Sequence, residues 1–396
     1  MSKWKLVKLG EVCEFIRNGA SIKQGKNRNG YPITRIETIS NCIVDRNKMG
    51  YAGIGELGKY KEYVLNSGDI LMSHINSEKH LGKVAYYENR NEETIIHGMN
   101  LLCLRLKQQK VRYKYVFYFL NSSFFRRQIP NITKKSVNQA SFTVTALKEL
   151  IMILPPLDIQ KHIADTLDKT KEIIDCQKKQ IEELDNLIKA TFYDMFGDPV
   201  TNEKGWKLAK IKDLAKKIQY GTSEKATTEI LEYAILRMNN ITYNGEWDFG
   251  DLKYINLSSA DKEKYLVHKG EMLFNRTNSK ELVGKSAAYR NEYPMAYAGY
   301  LVKLTPNERT NSEFISAFLN SKYGKALLKS MAKNIIGMAN INAKELGNIK
   351  IYVPPLDLQN KFAQIVTNIE QQKSLVRQSI TESQNLFNSL MSKYFD

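Results

Sequence analysis

Two long stretches of the chain carry apolar residues at helical spacing and contain neither glycine nor proline. They are residues 158–196 and 357–395. Along each stretch the apolar positions recur at alternating steps of four and three residues, which is the spacing of a heptad seam. The first seam is Ile163, Leu167, Thr170, Ile174, Gln177, Ile181, Leu184, Ile188, Thr191 and Met195. The second seam is Phe362, Val366, Ile369, Lys373, Val376, Ile380, Ser383, Phe387, Leu390 and Tyr394.

The two seams share one register, because adding 199 to each position of the first gives the second. Little else in the chain could cover them, so we expect the two helices to pair with each other as an antiparallel coiled coil. This pairing places Gln177 and Lys373 in or near the seam. Each polar side chain either fixes the register or lies at a partly wet edge, and the sequence leaves both readings open. At ~1.5 Å per residue, such helices are roughly 57 Å long and would act as a spacer.

The rest of the chain has a mixed pattern. Residues 1–154 and 200–353 contain short β-rich runs, such as residues 70–72 and 101–104, separated by glycine-containing turn signals. A helical stretch is expected near residues 111–125. We therefore predict an α/β (α+β) class of globular domain for both blocks, with the two long helices separating them.

The chain is an internal duplication. The segment WKLVKL at residues 4–9 returns as WKLAKI at residues 206–211, an offset of 202. Pairs at the same offset are Gly19 and Gly221, Arg35 and Arg237, Gly68 and Gly270, Gly82 and Gly284, and Lys83 and Lys285. Beyond a net deletion of three residues the offset is 199, where PPLD at 155–158 returns at 354–357. The predicted segments are 1–154, 155–199, 200–353 and 354–396, each globular block being followed by its helix.

Charge is unevenly distributed over these segments. The whole chain carries a net charge of +17. Residues 1–154 hold 25 Lys and Arg against 12 Asp and Glu, and residues 200–353 hold 24 against 16. Residues 155–199 hold 6 against 10, and residues 354–396 hold 4 against 4. The globular blocks, not the helices, therefore face an acidic partner, which favours double-stranded DNA over a membrane surface.

Nothing in the sequence indicates a membrane segment or an oxidising compartment. No run of about 18 apolar residues exists, and the first residues lack the apolar stretch of a signal peptide. Cys13, Cys42, Cys103 and Cys176 lie far apart and form no CxxC pair. We expect reduced thiols in a cytoplasmic protein.

Motifs of catalysis are absent from the sequence. We find no GxGxxG or Walker-type loop, and the two PPLD sites lack the residues of an amino-methyltransferase motif. One acidic-x-Lys triplet of nuclease type, residues 251–253, lies in a turn-rich region without a counterpart in the first copy. His74 and His80 could bind a metal, but a DNA-facing or surface role is favoured. We therefore predict no catalytic residue, no metal and no cofactor.

Several duplicated motifs resemble one family. They are the start at residues 4–12 with its copy at 206–214, and GDIL at 68–71 with GEML at 270–273. The junctions LPPLDIQ at 154–160 and VPPLDLQ at 353–359, and MFGDP at 195–199 before Trp206, complete the set. In this order, over essentially the whole chain, they resemble the specificity subunit of type I restriction–modification enzymes.

The resemblance implies a division of labour. Each globular block would be a target recognition domain that reads one half of a split, asymmetric DNA sequence. The paired helices would set the spacer between the halves and dock two methyltransferase subunits, which bring S-adenosylmethionine and methylate adenine. A restriction and translocase subunit would join the complex and use ATP. None of these reactions would belong to this chain.

Polar and basic residues in loops are the candidates for DNA contact, because loops carry specificity on a fixed scaffold. In the first block they are Lys23, Gln24, Lys26, Arg28, Asn76, Lys79, His80, Lys83, Lys134 and Lys135, with Asn138 in the last loop. In the second block they are Thr222, Lys225, Arg276, Asn278, Lys280, Lys285, Asn334 and Asn340. For each one a solvated loop is the alternative. Arg35 and Arg237 are common to both blocks, so they could hold phosphate but could not explain two different half-sites.

Two other functions stay open on the sequence alone. One is a self-contained nuclease or methyltransferase, which would bind S-adenosylmethionine or cut DNA by itself. The other is a helical scaffold that joins proteins and happens to be basic, which would show little salt-dependent binding to DNA.

Overall fold

The computed structural model describes residues 4–25, 30–40, 42–137, 139–335 and 338–396, without the side chains of residues 333–335. The chain forms two compact units. The first comprises Met1–Cys176 and Ile380–Asp396, and the second comprises Gln177–Ser379. Each unit therefore contains one globular block and a part of both long helices, so the division between units crosses the helices.

The first unit is built on an antiparallel four-stranded sheet. In sheet order its strands are Cys13–Asn18, Leu101–Leu106, Ile70–Ser73 and Val84–Tyr86. Smaller pairings are Lys5–Lys8 with Ile151–Leu154, Pro32–Ile33 with Gly50–Tyr51, and a three-stranded sheet of Ile75–Asn76, Ala140–Ser141 and Lys134–Lys135. Short helices cover Leu9–Val12, Tyr113–Asn121, Ser123–Arg126, Ile129–Ile132 and Val144–Lys148.

The second unit repeats this plan. Its main sheet is Ala215–Tyr220, Leu301–Pro306, Met272–Asn275 and Ser286–Ala288 in the same order. Lys207–Lys210 pairs with Lys350–Val353, and Thr277–Asn278, Met338–Asn340 and Lys333–Ile335 form the three-stranded sheet. Its helices are Ser259–Tyr265, Ser312–Asn320, Lys322–Met331 and Ala343–Asn348. The predicted class, a duplicated mixed helix and sheet domain, is confirmed.

The predicted elements of the first block are confirmed with one refinement. Residues 70–72 and 101–104 lie in central strands, where every residue of Ile70–Ser73 is buried. The helical stretch expected near residues 111–125 is interrupted at Ser122, whose hydroxyl accepts a hydrogen bond from the Phe125 backbone N–H at 3.3 Å. A serine in extended conformation caps the next helix in this way, which a hydrophobic pattern alone does not reveal.

The copies differ in the region formed by the segments that connect the strands of the main sheet. In the second unit this region adds a four-stranded sheet of Lys253–Ile255, Tyr233–Leu236, Met295–Tyr297 and Leu266–Val267, with one parallel pair. The first unit has there the short pair Pro32–Ile33 and Gly50–Tyr51, single bridges from Ile33 and Val64 to Ile96, and several 3₁₀ turns. The two copies therefore share the main sheet and differ in the segments that connect its strands.

Two helices of 40 residues each, the central helix Leu157–Phe196 and the C-terminal helix Leu356–Phe395, follow the Pro-Pro junctions. A buried glutamine fixes the start of each. The Gln160 side chain donates to the Pro155 carbonyl at 2.8 Å and accepts from the Arg112 N–H at 2.9 Å. Gln359 donates to the Pro354 carbonyl at 2.8 Å and accepts from the Asn311 N–H at 2.9 Å. The repeated glutamine is therefore explained as an anchor between helix and domain.

Within the second unit the two helices run antiparallel. The rings of Phe192 and Phe362 are 6.0 Å apart, and the Gln177 amide donates to the Ser379 hydroxyl at 2.7 Å. The seam residues Ile188, Phe362, Val366 and Ile369 are buried or half-buried, as are Ile181, Leu184 and Val376. Lys373 is completely buried in an ion cluster.

Within the first unit the other halves of the helices share a core with the domain. Ile163, Leu167 and Phe395 belong to one buried cluster, against which Phe387 and Leu390 pack. Ile174 is buried and Ile380 is half-buried. The Tyr118 ring lies 6.2 Å from that of Phe387, so the C-terminal helix packs on the first globular block.

Candidate DNA interface

A small three-stranded sheet brings distant candidate residues together in each unit. In the first unit Ala140 lies opposite both Asn76 and Lys135. In the second unit Ala339 lies opposite both Asn278 and Asn334. The loop after the central strand thus meets a hairpin from more than fifty residues further along the chain. The register is the same in both copies, so one backbone frame presents two sets of side chains.

In each unit, backbone hydrogen bonds hold the small sheet against the core. The Phe142 N–H donates to the His74 carbonyl at 3.2 Å, and the Ile341 N–H donates to the Arg276 carbonyl at 2.9 Å. Phe142 and Ile341 are buried, as are Ala140 and Ala339 in the middle strands. Because one edge is held by the core, the remaining side chains of the sheet can project outward from a rigid base.

Four candidate lysines of the first unit are exposed: Lys23, Lys79, Lys134 and Lys135. Lys135 forms an ion pair with Glu78 at 2.9 Å, and both side chains are more than 60% exposed. Such a pair contributes little stability, so phosphate could replace the carboxylate at small cost. Asn76 is half-buried, and its side-chain oxygen accepts from the Ser77 N–H at 2.7 Å.

The second unit shows the same arrangement with fewer lysines. Lys225 and Lys280 are exposed, whereas Arg276, Asn278 and Asn340 are half-buried. The Asn278 oxygen accepts from the Ser279 N–H at 2.9 Å, as Asn76 does in the first unit, and Asn340 donates to the Thr277 hydroxyl at 2.7 Å. The structure thus groups Arg276, Asn278, Lys280 and Asn340 on one small sheet and its loop, whereas Lys225 lies outside that sheet.

Two candidates are removed from this surface by burial. Thr222 is 4% exposed, and its hydroxyl accepts from the Glu224 N–H at 3.2 Å. Lys285 is 6% exposed and donates to the Met238 carbonyl at 2.8 Å, while burial lowers the pKa of its ammonium group. Both side chains serve the fold of the second unit.

Two candidates of the first unit are likewise engaged in the fold. Lys83 is half-buried and lies 3.4 Å from the Ser40 carbonyl, so, like Lys285, it contacts a backbone carbonyl of its own unit. Gln24 accepts from the Arg35 guanidinium at 2.7 Å. The repeat itself carried the signal for Lys83 and Lys285, because a residue common to both copies belongs to the shared framework.

The framework arginines also act within the fold. Besides Gln24, the Arg35 guanidinium contacts the Gly25 carbonyl at 3.4 Å, and Arg237 pairs with Asp251 at 2.9 Å. The triplet at residues 251–253 thus supplies a partner for Arg237. Lys26, Arg28 and Asn138 lie outside the described residues, and so does the side chain of Asn334.

Three histidines lie near the interface of the first unit. The His97 Nε2–H donates to the Leu101 carbonyl at 2.9 Å, and burial lowers the pKa of His97 to about 4. Burial also lowers the pKa of His74, which is 6% exposed. The Nδ1 atoms of His74 and His80 have no hydrogen-bond partner in the described part of the chain. Within that part, no group of three His, Cys, Asp or Glu side chains could hold a metal ion.

Sequence reasoning missed an aromatic contact of Arg276. The guanidinium carbon of Arg276 lies 4.8 Å from the centre of the Tyr220 ring, and the Tyr300 carbonyl accepts from the Arg276 N–H at 3.0 Å. Tyr220 and Tyr300 are 41% and 51% exposed. Both tyrosines lie at strand ends. They differ from core residues only in being exposed, and the sequence does not show this exposure.

Among the described helices, none has the length and apolar character needed to cross a membrane. The sequence matches the family described as type I restriction modification DNA specificity domain twice, over residues 1–186 and 203–383. Thus both copies of the duplication match the same domain.

Relatives were found in archaea and bacteria. The chain is 42% identical over 211 residues to a putative type I restriction enzyme MjaX specificity subunit of Methanocaldococcus jannaschii, covering 53% of this chain and 49% of that protein. It is 24% identical to the type I restriction enzyme EcoKI specificity subunit of Escherichia coli, covering 99% of this chain and 88% of that protein.

The fold has counterparts among solved structures. A type I restriction–modification S subunit from M. genitalium superposes with a TM-score of 0.60 at 15% identity, covering 100% of this chain and 96% of that one. A chain from a structure of type I R-M system assembly and conformational transition gives a TM-score of 0.57 at 15% identity, covering 99% and 97%. Together with the double family match over most of its length, these findings show that the chain belongs to the type I restriction–modification DNA specificity family.

Proposed function

We propose that each globular block reads one half of a bipartite DNA site and that the chain itself catalyses no reaction. The observation that carries this proposal is the pair of small sheets, which share a register but differ in side chains. Two frames of this kind suit two half-sites of different sequence. The positive charge of residues 1–154 and 200–353 supplies the attraction to phosphate.

Comparison of the two copies sorts the candidates by role. Lys23 and Lys225 are equivalent, and both are exposed, so we assign them to phosphate. Asn76 and Asn278 are also common to both copies and would fix the orientation on the duplex. Positions that differ are assigned to the bases. They include Lys79 against Glu281, His80 against Leu282, and Ser141 against Asn340.

The helices would carry the partners. Leu187 and Leu386 are equivalent positions of the two copies and are 50% and 54% exposed, whereas the other exposed large apolar residues of the helices, Ile173, Ile365 and Leu375, have no apolar counterpart of that size in the other copy. Two matching apolar points suit two identical partner subunits, and we propose that these are methyltransferase subunits supplying the S-adenosylmethionine chemistry. Restriction and translocase subunits would join through that complex, in the cytoplasm where the DNA lies.

The two long helices would set the length of the spacer between the two half-sites. We propose residues 1–154 and 200–353 as the two recognition domains, and residues 155–199 and 354–396 as the spacer helices. The seam and the buried Gln160 and Gln359 anchors support a stiff connection. A fixed distance between half-sites would follow from helix length.

Selection of duplexes from a random pool by the full chain tests this function. The expected product is a motif of two different short halves with an unspecified spacer of constant length. Affinity for the selected duplex should fall by about 1,000-fold or more between 50 and 200 mM salt if six or more phosphates are contacted. A continuous motif, or affinity that hardly responds to salt, would contradict the proposal. Binding of S-adenosylmethionine by the isolated chain would favour an enzyme instead.

A further inference from the structure

Three residues of the second unit lie together where the main sheet passes into the small one. Tyr220 ends the strand Ala215–Tyr220, Arg276 follows the strand Met272–Asn275, and Tyr300 precedes the strand Leu301–Pro306. The guanidinium of Arg276 stacks at 4.8 Å over the Tyr220 ring. All three are at least partly accessible to a molecule outside the chain.

The contacts of Arg276 hold it in one place without neutralising it. The Tyr220 hydroxyl accepts from the Ala343 N–H at 3.0 Å, which fixes the ring under the guanidinium. The Nη1 atom of Arg276 lies 3.4 Å from the Gly299 carbonyl, and its Nε atom, which is itself buried, has no partner in the described part of the chain. No carboxylate of that part forms an ion pair with it. A cation held by an aromatic ring and lacking an acid is prepared for an external acceptor.

The equivalent positions of the first unit have the same backbone and different chemistry. They are Asn18, His74 and Asn100. The registers agree, because Ser73 pairs with Leu101 as Asn275 pairs with Leu301. The bridges from Ala20 to Gly98 and from Thr222 to Ala298 agree as well. Side chains that change on an unchanged frame are those expected to distinguish two half-sites.

We propose that Arg276 reads a guanine in the half-site of the second unit, with Tyr220 as its positioning residue. Arginine donates two hydrogen bonds to N7 and O6 of guanine in the major groove, a pattern that no other base offers. The first unit has no guanidinium at this position, so the preference is confined to one half-site. This inference rests on the proposed function.

The test uses the full chain and the duplex that the wild-type chain selects, with each base pair of both halves substituted in turn. Arg276→Lys keeps the positive charge but loses the planar guanidinium, which can donate two parallel hydrogen bonds. We expect discrimination at one G·C pair to fall from 10-fold or more to within about threefold. The other positions and the salt slope should be unchanged. Lys225→Ala is the matched control, for which we expect weaker binding to every duplex alike.

Tyr220 is tested at the same base pair. Tyr220→Leu should abolish most of the discrimination there, and Tyr220→Phe, which keeps the ring but loses the hydroxyl that accepts from Ala343, should retain more of it than the leucine variant. A purely structural role would instead weaken binding to all duplexes equally and would not distinguish the two variants.

The outcomes separate the inference from the function. If Arg276→Lys weakens all duplexes equally, or changes none, the assignment of Arg276 is wrong while bipartite binding stands. If the wild-type chain selects no bipartite site, the proposed function fails. Should the lysine variant lose its thermal unfolding transition, Arg276→Gln is measured in the same way, and loss of the guanine preference at that pair alone supports the assignment.

Discussion

Lys373 of the C-terminal helix forms an ion pair with Asp185 of the central helix inside the second unit. Its ammonium group is completely buried and also contacts Glu246 and Glu370, the latter at 3.0 Å. Burial lowers the pKa of Lys373, and the hydrogen bond to Asp185 opposes this shift. The equivalent position in the first copy is the buried Ile174. The cluster therefore distinguishes one helix from the other, as a register-setting polar group does in a coiled coil.

Replacing Lys373 should destabilise the second unit strongly. Lys373→Ile removes the cation shared by Asp185, Glu246 and Glu370, of which, among the described residues, only Glu246 keeps an ion pair, with Arg377. Removing one partner of a buried pair costs roughly 3–5 kcal/mol. Thermal unfolding followed by circular dichroism would measure the loss. Lys361→Ala, at an exposed position of the same helix, should change stability by less than about 0.5 kcal/mol. Equal effects of the two substitutions would contradict a register role.

The stability of the first unit should depend on the titration of His97. Burial depresses its pKa from 6.5 to about 4, so the unfolded chain binds more protons between these values. His97 thus contributes stability that is present above pH 6.5 and is lost as the pH falls towards 4. His97→Gln keeps a donor for the Leu101 carbonyl and removes the titration. Between pH 7 and pH 5 the wild type should lose about 2 kcal/mol more than this variant, measured by denaturant unfolding. Parallel losses would show that folding does not lower the pKa of His97, and would contradict this account.

Two lysines of the second unit should behave in opposite ways. Lys225→Ala should weaken binding to all duplexes and lower the salt slope by about 1, with stability unchanged, because its side chain is exposed. Lys285→Met should destabilise the unit by about 1–3 kcal/mol, because the Met238 carbonyl loses its donor. DNA titrations and thermal unfolding of both variants decide this. A DNA-specific defect in Lys285→Met would return that residue to the interface.

Helix length should set the spacer. A seven-residue insertion in each helix, next to Gln177 and Ser379, keeps the seam in register and adds about 10 Å at ~1.5 Å per residue. We expect the selected spacer to lengthen by about three base pairs, at ~3.4 Å each, with both half-sites unchanged. Altered half-sites at the old spacing would contradict the proposal that helix length sets the spacer.

The long helices and the duplication could be predicted because their signals extend over many residues. The seam from Ile163 to Ile188 repeats every three or four positions, and the copies agree at a fixed offset. Two-residue strands carry no such signal. Nothing local indicates that Asn76 lies opposite Ala140, because their pairing is decided by how the core holds Phe142.

The site residues show the same limit. Thr222 and Lys285 look like polar loop residues in the sequence, and only packing reveals that both are buried. The Gly-Lys pair at residues 82–83 is repeated at 284–285. This repetition already indicated that Lys285 does not read bases, since a residue common to both copies cannot distinguish two half-sites. For Tyr220 the sequence contained no such indication, because an aromatic residue at the end of a strand more often packs into a core.

The most direct measurement is a genome-wide map of methylated adenines in cells that contain this chain and the proposed methyltransferase partner, compared with cells from which the chain has been deleted. We predict one bipartite motif, with two different halves separated by a constant spacer and one methylated adenine in each half, that disappears on deletion. Methylation that persists without the chain, or a motif that is continuous, would contradict the account that this chain reads a split DNA site with its two copies.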